Sequence, residues 1–196
     1  MKCATAGYVL VGGRSSRFGA DKALALWQGR PLALRVAEEV RAAAGSATLV
    51  GSPEKYGSLG LAVIPDPVAE TGPLAGLWAA LEHTSAEWNL VVACDMPQLR
   101  RDFLAYVLKT AEDSVDLILP LDRQGRPEPL CAVYSRRCRP AIAEAVRGGV
   151  RKMTDAFVAL RVRQLPFADY ARFDPQGTLF TNWNTQAEMA SAFDHG

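Results

Sequence analysis

The sequence predicts an α/β protein with three layers (αβα), helices covering both faces of a mainly parallel sheet. Two observations lead there. Short runs rich in Val, Leu and Ile recur along the chain, and amphipathic helical stripes fall between them, an alternation expected of βαβ units. The runs are apolar along most of their length, which indicates strands buried on both faces and therefore parallel pairing.

Taken in order, the strands are expected at Gly7 to Val11, Thr48 to Val50, Leu61 to Ile64, Leu90 to Ala93, Asp116 to Leu119 and Leu130 to Tyr134. Leu32, Val36 and Val40 share one helical face that stops near Gly45. A second stripe of Leu74, Leu77, Trp78 and Leu81 follows Pro73, a residue suited to a helix start, and Trp78 is expected in the core with its leucines. No repeat, low-complexity tract or long linker divides the chain, so residues 1–196 are expected to form a single domain. The polar stretch Asp122 to Glu128 reads as a loop between two strands, and loops in such folds often border the active site.

Composition removes several function classes. The 196 residues are 49% hydrophobic and carry 22 Lys+Arg against 21 Asp+Glu, a formal charge of +1. No global field recruits nucleic acid or anionic lipid, so any anion site must be local. No apolar run approaches the roughly 18 residues of a membrane span, and a cytoplasmic location is expected. Cys3, Cys94, Cys131 and Cys138 form no C-x-x-C pair, and His83 and His195 have no partner at metal-ligand spacing. Zinc and disulfide frameworks lack support.

Ligands of open α/β sheets bind beyond the carboxyl ends of the strands. The first strand runs into Gly12-Gly13-Arg14-Ser15-Ser16-Arg17-Phe18-Gly19-Ala20-Asp21-Lys22. Its glycines free backbone N–H groups to wrap an anion, and Arg14, Arg17 and Lys22 can reach different oxygens of one triphosphate. The run matches neither the dinucleotide fingerprint G-x-G-x-x-G nor the P-loop order, which disfavours a nicotinamide oxidoreductase. An ordinary β-to-α turn with solvated charges is the alternative. The strand Leu90 to Ala93 ends in Cys94-Asp95-Met96-Pro97. A carboxylate just past an apolar strand calls for a partner, and Mg²⁺ fits, because a nucleotide supplies most of its ligands. Mn²⁺ is an alternative ion, and a helix cap is the alternative role for Asp95.

The motif Gly12-Gly13-x-Ser15-x-Arg17-x-Gly19-x-Asp21-Lys22, followed by Leu24 and Gly29-Arg30-Pro31-Leu32, resembles the signature of the molybdopterin nucleotidyltransferases. The resemblance implies a Rossmann-like nucleotidyltransferase fold in which Val11, Gly12, Gly13, Arg14, Ser15 and Lys22 bind the nucleotide and Arg17, Lys22 and Asp95 carry transfer. Asp66 and the turn Gly72-Pro73-Leu74 are similar to the family's nucleoside-side elements; a well-made helix start is their other reading. Asn182 and Asn184 resemble its acceptor-side Asn-x-Asn, and Gly125 to Leu130 its substrate-side loop. Phe18 stands where methionine is usual, Gln186 and Ala187 replace a Pro-Glu, and Gly51-Ser52 lacks a common asparagine. Asp-Met-Pro and Gly-Gly resemble the guanylyltransferase branch more than the cytidylyltransferase branch, which implies GTP and a molybdopterin acceptor. Further partners would be molybdoenzyme chaperones or other cofactor-biosynthesis proteins. The rivals are a cytidylyltransferase or sugar-phosphate nucleotidyltransferase of this fold, and a non-catalytic GTP- or cofactor-binding module.

Overall fold

A computed structural model describes residues 4–11, 21–66 and 72–181. Its centre is a seven-stranded sheet built from β1 (Thr5–Leu10), β4 (Thr48–Val50), β5 (Val63–Ile64), β6 (Trp88–Ala93), β7 (Leu117–Pro120), β8 (Cys131–Ser135) and β9 (Val162–Leu165). The spatial order is β5-β4-β1-β6-β8-β7-β9, and β2 (Leu26–Trp27) pairs with β3 (Arg30–Pro31) in a separate hairpin. β1 is parallel to β4 and to β6, with Leu10 level with Val50 on one side and Ala93 on the other. The chain therefore winds outward from β1 to β5 and then crosses to the other side of β1. That reversal opens a crevice at the carboxyl ends of β1 and β6.

Side-chain alternation along the strands creates the two outer layers. Val9, Leu49, Leu90, Val92, Ile118 and Val133 belong to one core cluster with residues of α1 (Leu32–Ala44) and α4 (Arg101–Lys109). Tyr8, Leu10, Val50, Val91, Leu117 and Tyr134 belong to a second, with α3 (Pro73–His83) and α5 (Arg139–Arg147). Each fully buried leucine in these layers contributes roughly 1.5–3 kcal/mol. α1 stops where Gly45 turns left-handed at φ 84°, and its N–H closes on the Arg41 carbonyl. α3 starts at Pro73 after Gly72, whose φ of 93° an L side chain would resist. Trp78 is only half-buried against the second cluster, its indole N–H donating to Glu82 at 3.2 Å. The short helices α2 (Pro53–Tyr56) and α6 (Phe167–Tyr170) complete the set.

The sheet is mainly parallel, with one exception that the apolar runs did not reveal. β8 is antiparallel to both β6 and β7. Only the loop 121–130 joins β7 to β8, which is too short for a helical crossover, so the chain must return antiparallel. β8 is buried along its whole length, and burial carries no information about direction. The strand expected at Leu61 to Ile64 pairs only over Val63–Ile64. Among the described residues no helix is long and apolar enough to cross a membrane.

Candidate active site

The crevice between β1 and β6 receives residues from three parts of the chain. Cys94 donates its N–H to the Leu10 carbonyl at 3.1 Å, so the residue following β6 is hydrogen-bonded to the last residue of β1. Asp95 comes next. Lys22, just beyond segment 12–20, places Nζ 3.0 Å from Asp95 Oδ2, with both side chains largely shielded from solvent. The other carboxylate oxygen, Oδ1, is buried and among the described residues has no hydrogen-bond partner. A buried, half-satisfied carboxylate is unfavourable unless something else binds it. A hard cation suits that oxygen, so Asp95 fits the Mg²⁺ site expected of it. No group of three or more His, Cys, Asp or Glu side chains capable of holding a metal gathers among the described residues.

Tyr56, at the end of α2, joins the two residues that flank the loop. Its hydroxyl lies 2.6 Å from the Val11 carbonyl and 2.7 Å from Asp21 Oδ2. Burial, then the neighbouring Asp21, raise the phenol above its ordinary pKa, which keeps it a proton donor. Asp21 also accepts from the Ala23 N–H at 3.1 Å, capping the single helical turn that carries Lys22. Gly51 makes room for this clasp: a Cβ there would stand 2.8 Å from the Tyr56 ring and 2.8 Å from Val11 Cγ2.

Of the site residues expected from sequence, Lys22 and Asp95 meet, and Asp66 follows β5 on the same edge of the sheet. Val11 is buried, its N–H given to Val50 and its carbonyl to Tyr56, so it fixes where the loop begins. Gly72 and Pro73 lie exposed at the head of α3, while the Leu74 side chain is in the core. Gly12, Gly13, Arg14, Ser15, Arg17, Asn182 and Asn184 lie outside the described residues. Sequence reasoning missed Tyr56, whose only signal was a lone aromatic after an unremarkable Pro-Glu-Lys. It also gave Asp21 no role beyond membership in the motif.

The MobA-like NTP transferase domain model matches residues 7–162. The chain belongs to that family. It is 32% identical over 191 residues to a molybdenum cofactor guanylyltransferase of Desulfosudis oleivorans, covering 96% of this chain and 94% of the relative. The molybdopterin-guanine dinucleotide biosynthesis protein A of Archaeoglobus fulgidus superimposes with a TM-score of 0.83 at 27% identity, covering 96% of this chain and 97% of that one. A 2-C-methyl-D-erythritol 4-phosphate cytidylyltransferase of Thermus thermophilus shares the fold, with a TM-score of 0.65 at 18% identity over 94% and 95% of the two chains. The matched span of this NTP transferase contains Gly7 to Leu10 of β1, Lys22, Tyr56 and Asp95. Beside Asp95, burial and then that carboxylate's charge push the Cys94 thiol up to about 12, so it is an inert packing residue.

Proposed function

We propose that this nucleotidyltransferase moves GMP from GTP to the terminal phosphate of molybdopterin, releasing pyrophosphate and forming molybdopterin guanine dinucleotide. One observation carries the reading: Lys22 and the half-satisfied Asp95 meet at the end of β1, where the triphosphate loop begins. The likeness to a named guanylyltransferase over nearly the whole chain supports the choice of base and acceptor.

In this reaction an oxygen of the acceptor phosphate attacks the α-phosphorus of GTP, and the bond to the bridging oxygen of the leaving pyrophosphate breaks. The nucleophile is already an anion, so no general base is required. Lys22 holds positive charge where the α-phosphate gains negative charge, and its pairing with Asp95 fixes the ammonium in place. Bound at Asp95, Mg²⁺ would supply neutralisation of the phosphate oxygens. We assign Arg14 and Arg17 to the outer phosphates, Asp66 and Gly72 to the nucleoside side, and Asn182 and Asn184 to the acceptor side. The chain would work as a single cytoplasmic domain without nucleic acid or membrane partners.

The test is pyrophosphate release from each of GTP, CTP, UTP and ATP with Mg²⁺ and purified molybdopterin. Release with GTP is expected. A preference for CTP overturns the base assignment, and nucleotide binding with no release from any triphosphate marks a binding module instead.

A further inference from the structure

We infer that Glu128 recognises the acceptor, its carboxylate taking two N–H groups from the donor-rich edge of a flat heterocycle; this rests on the transfer reaction proposed above. A polar cavity of about 170 Å³ is walled by Asp122, Arg126, Glu128, Tyr170, Asp174 and Phe180. It lies on the same edge of the sheet as Asp95. Ala93 donates its N–H to the Leu130 carbonyl at 2.8 Å, which sets the segment containing Glu128 beside the end of β6, and Asp122 lies just beyond the end of β7, after Leu121.

The other acids of that wall are already engaged. Asp122 accepts from the N–H groups of Gln124 and Arg126, both at 2.8 Å, and from Arg126 Nε at 2.6 Å. Asp174 accepts from the N–H groups of Thr178 at 2.7 Å and Leu179 at 3.3 Å. The Tyr170 hydroxyl donates to the Leu121 carbonyl. Glu128 differs: it is half-buried, and among the described residues its side chain makes neither a hydrogen bond nor an ion pair. Burial first, then the charges of Asp122 and Asp95 against the opposing pull of Arg126, push its carboxyl up to about 7.

A half-buried carboxyl with no protein donor among the described residues is available to take its donors from a ligand in exchange for solvent. The cavity opens on the sheet edge that also carries Asp95, so a ligand held there lies on the side of the molecule where transfer is proposed. The pterin ring of the proposed acceptor presents adjacent amino and ring N–H groups, a pair that matches the two oxygens of one carboxylate. Phe180, half-buried in the cavity wall, gives the flat ring an aromatic neighbour.

The experiment varies molybdopterin at saturating GTP and Mg²⁺, and follows pterin fluorescence for binding alone. Glu128→Gln keeps the shape but loses one acceptor and the charge. It should raise the KM and Kd for molybdopterin roughly tenfold or more, with the KM for GTP and the Mg²⁺ requirement within about twofold of the wild type. Glu128→Ala should match or exceed that loss, and neither variant should melt at lower temperature, since each removes a half-buried acid that makes no hydrogen bond or ion pair among the described residues. An unchanged acceptor KM, or a rise confined to GTP or Mg²⁺, overturns the inference while leaving the transfer reaction standing. Failure of the wild type itself to release pyrophosphate with molybdopterin overturns both.

Discussion

The hydroxyl of Tyr56 stands 2.7 Å from Asp21 Oδ2 and 2.6 Å from the Val11 carbonyl, so a single side chain ties together the residues on either side of segment 12–20. Because Asp21 immediately precedes Lys22, and Lys22 reaches Asp95, this clasp also sets where the ammonium lies across the crevice. Loss of a clasp outside the chemistry acts through geometry, and small displacements of a reacting group are sufficient to slow transfer.

Tyr56→Phe should therefore lower kcat/KM for GTP by roughly tenfold or more, the ring continuing to fill its place in the core. Pyrophosphate release measures the effect, and thermal melting separates it from unfolding. A variant with full activity and a lowered melting temperature would make Tyr56 purely structural.

Gly51→Ala should reproduce part of that phenotype from the opposite side. The new Cβ would sit 2.8 Å from both the Tyr56 ring and Val11 Cγ2, closer than real contacts allow, so the ring must move. Overpacking of this kind costs about 1–3 kcal/mol. The two substitutions share one contact, so a double-mutant cycle should show them to be non-additive.

At the crevice itself, Asp95→Asn preserves size and removes the negative charge. Transfer should fall by roughly three orders of magnitude or more if the metal contribution is several kcal/mol. Lys22→Ala should cost about a hundredfold. Chelation with EDTA should abolish turnover in the wild type and Mg²⁺ or Mn²⁺ should restore it. Near wild-type turnover by Asp95→Asn would remove Asp95 from the mechanism.

On the opposite edge of the sheet, Asp116 is the nearly buried acid that joins β7 to β9 and to the segment after β8. Arg161 reaches it through Nη2 at 2.7 Å and Nε at 3.0 Å, and Arg137 through Nε at 3.2 Å. Hydrogen bonding from Arg161 is the largest influence and holds the carboxyl well below the usual carboxylate range despite its burial. A depressed folded pKa means that this stabilisation is complete above the unfolded value of about 3.9 and fades as pH falls below it. Asp116→Asn should lower stability at neutral pH by about 1–3 kcal/mol, discounted because both arginines are partly exposed. Urea titrations at pH 7 and near pH 3 should show the difference between variant and wild type shrinking with acid.

Part of this protein could be read directly from its residues. Apolar periodicity located the central strands and the two helices nearest the site, because a buried strand and an amphipathic helix need only local composition to declare themselves. Gly45 and Pro73 marked helix ends for the same local reason. Lys22 and Asp95 were legible as individual residues, one following a glycine loop and the other a wholly apolar strand. Other elements escaped, among them the β2–β3 hairpin, α2, α4, α5, β9 and α6, whose residues are mixed in polarity and gain their form from packing.

Only the tertiary structure decided the rest. The direction of β8, the clasp at Tyr56 and the isolation of Glu128 each depend on groups far apart in the chain, such as the 45 positions between Tyr56 and Val11. A linear pattern records which side chains prefer burial or charge. It does not record which backbone carbonyl will face a hydroxyl across a crevice, because that pairing exists only after the sheet has brought the strand ends together.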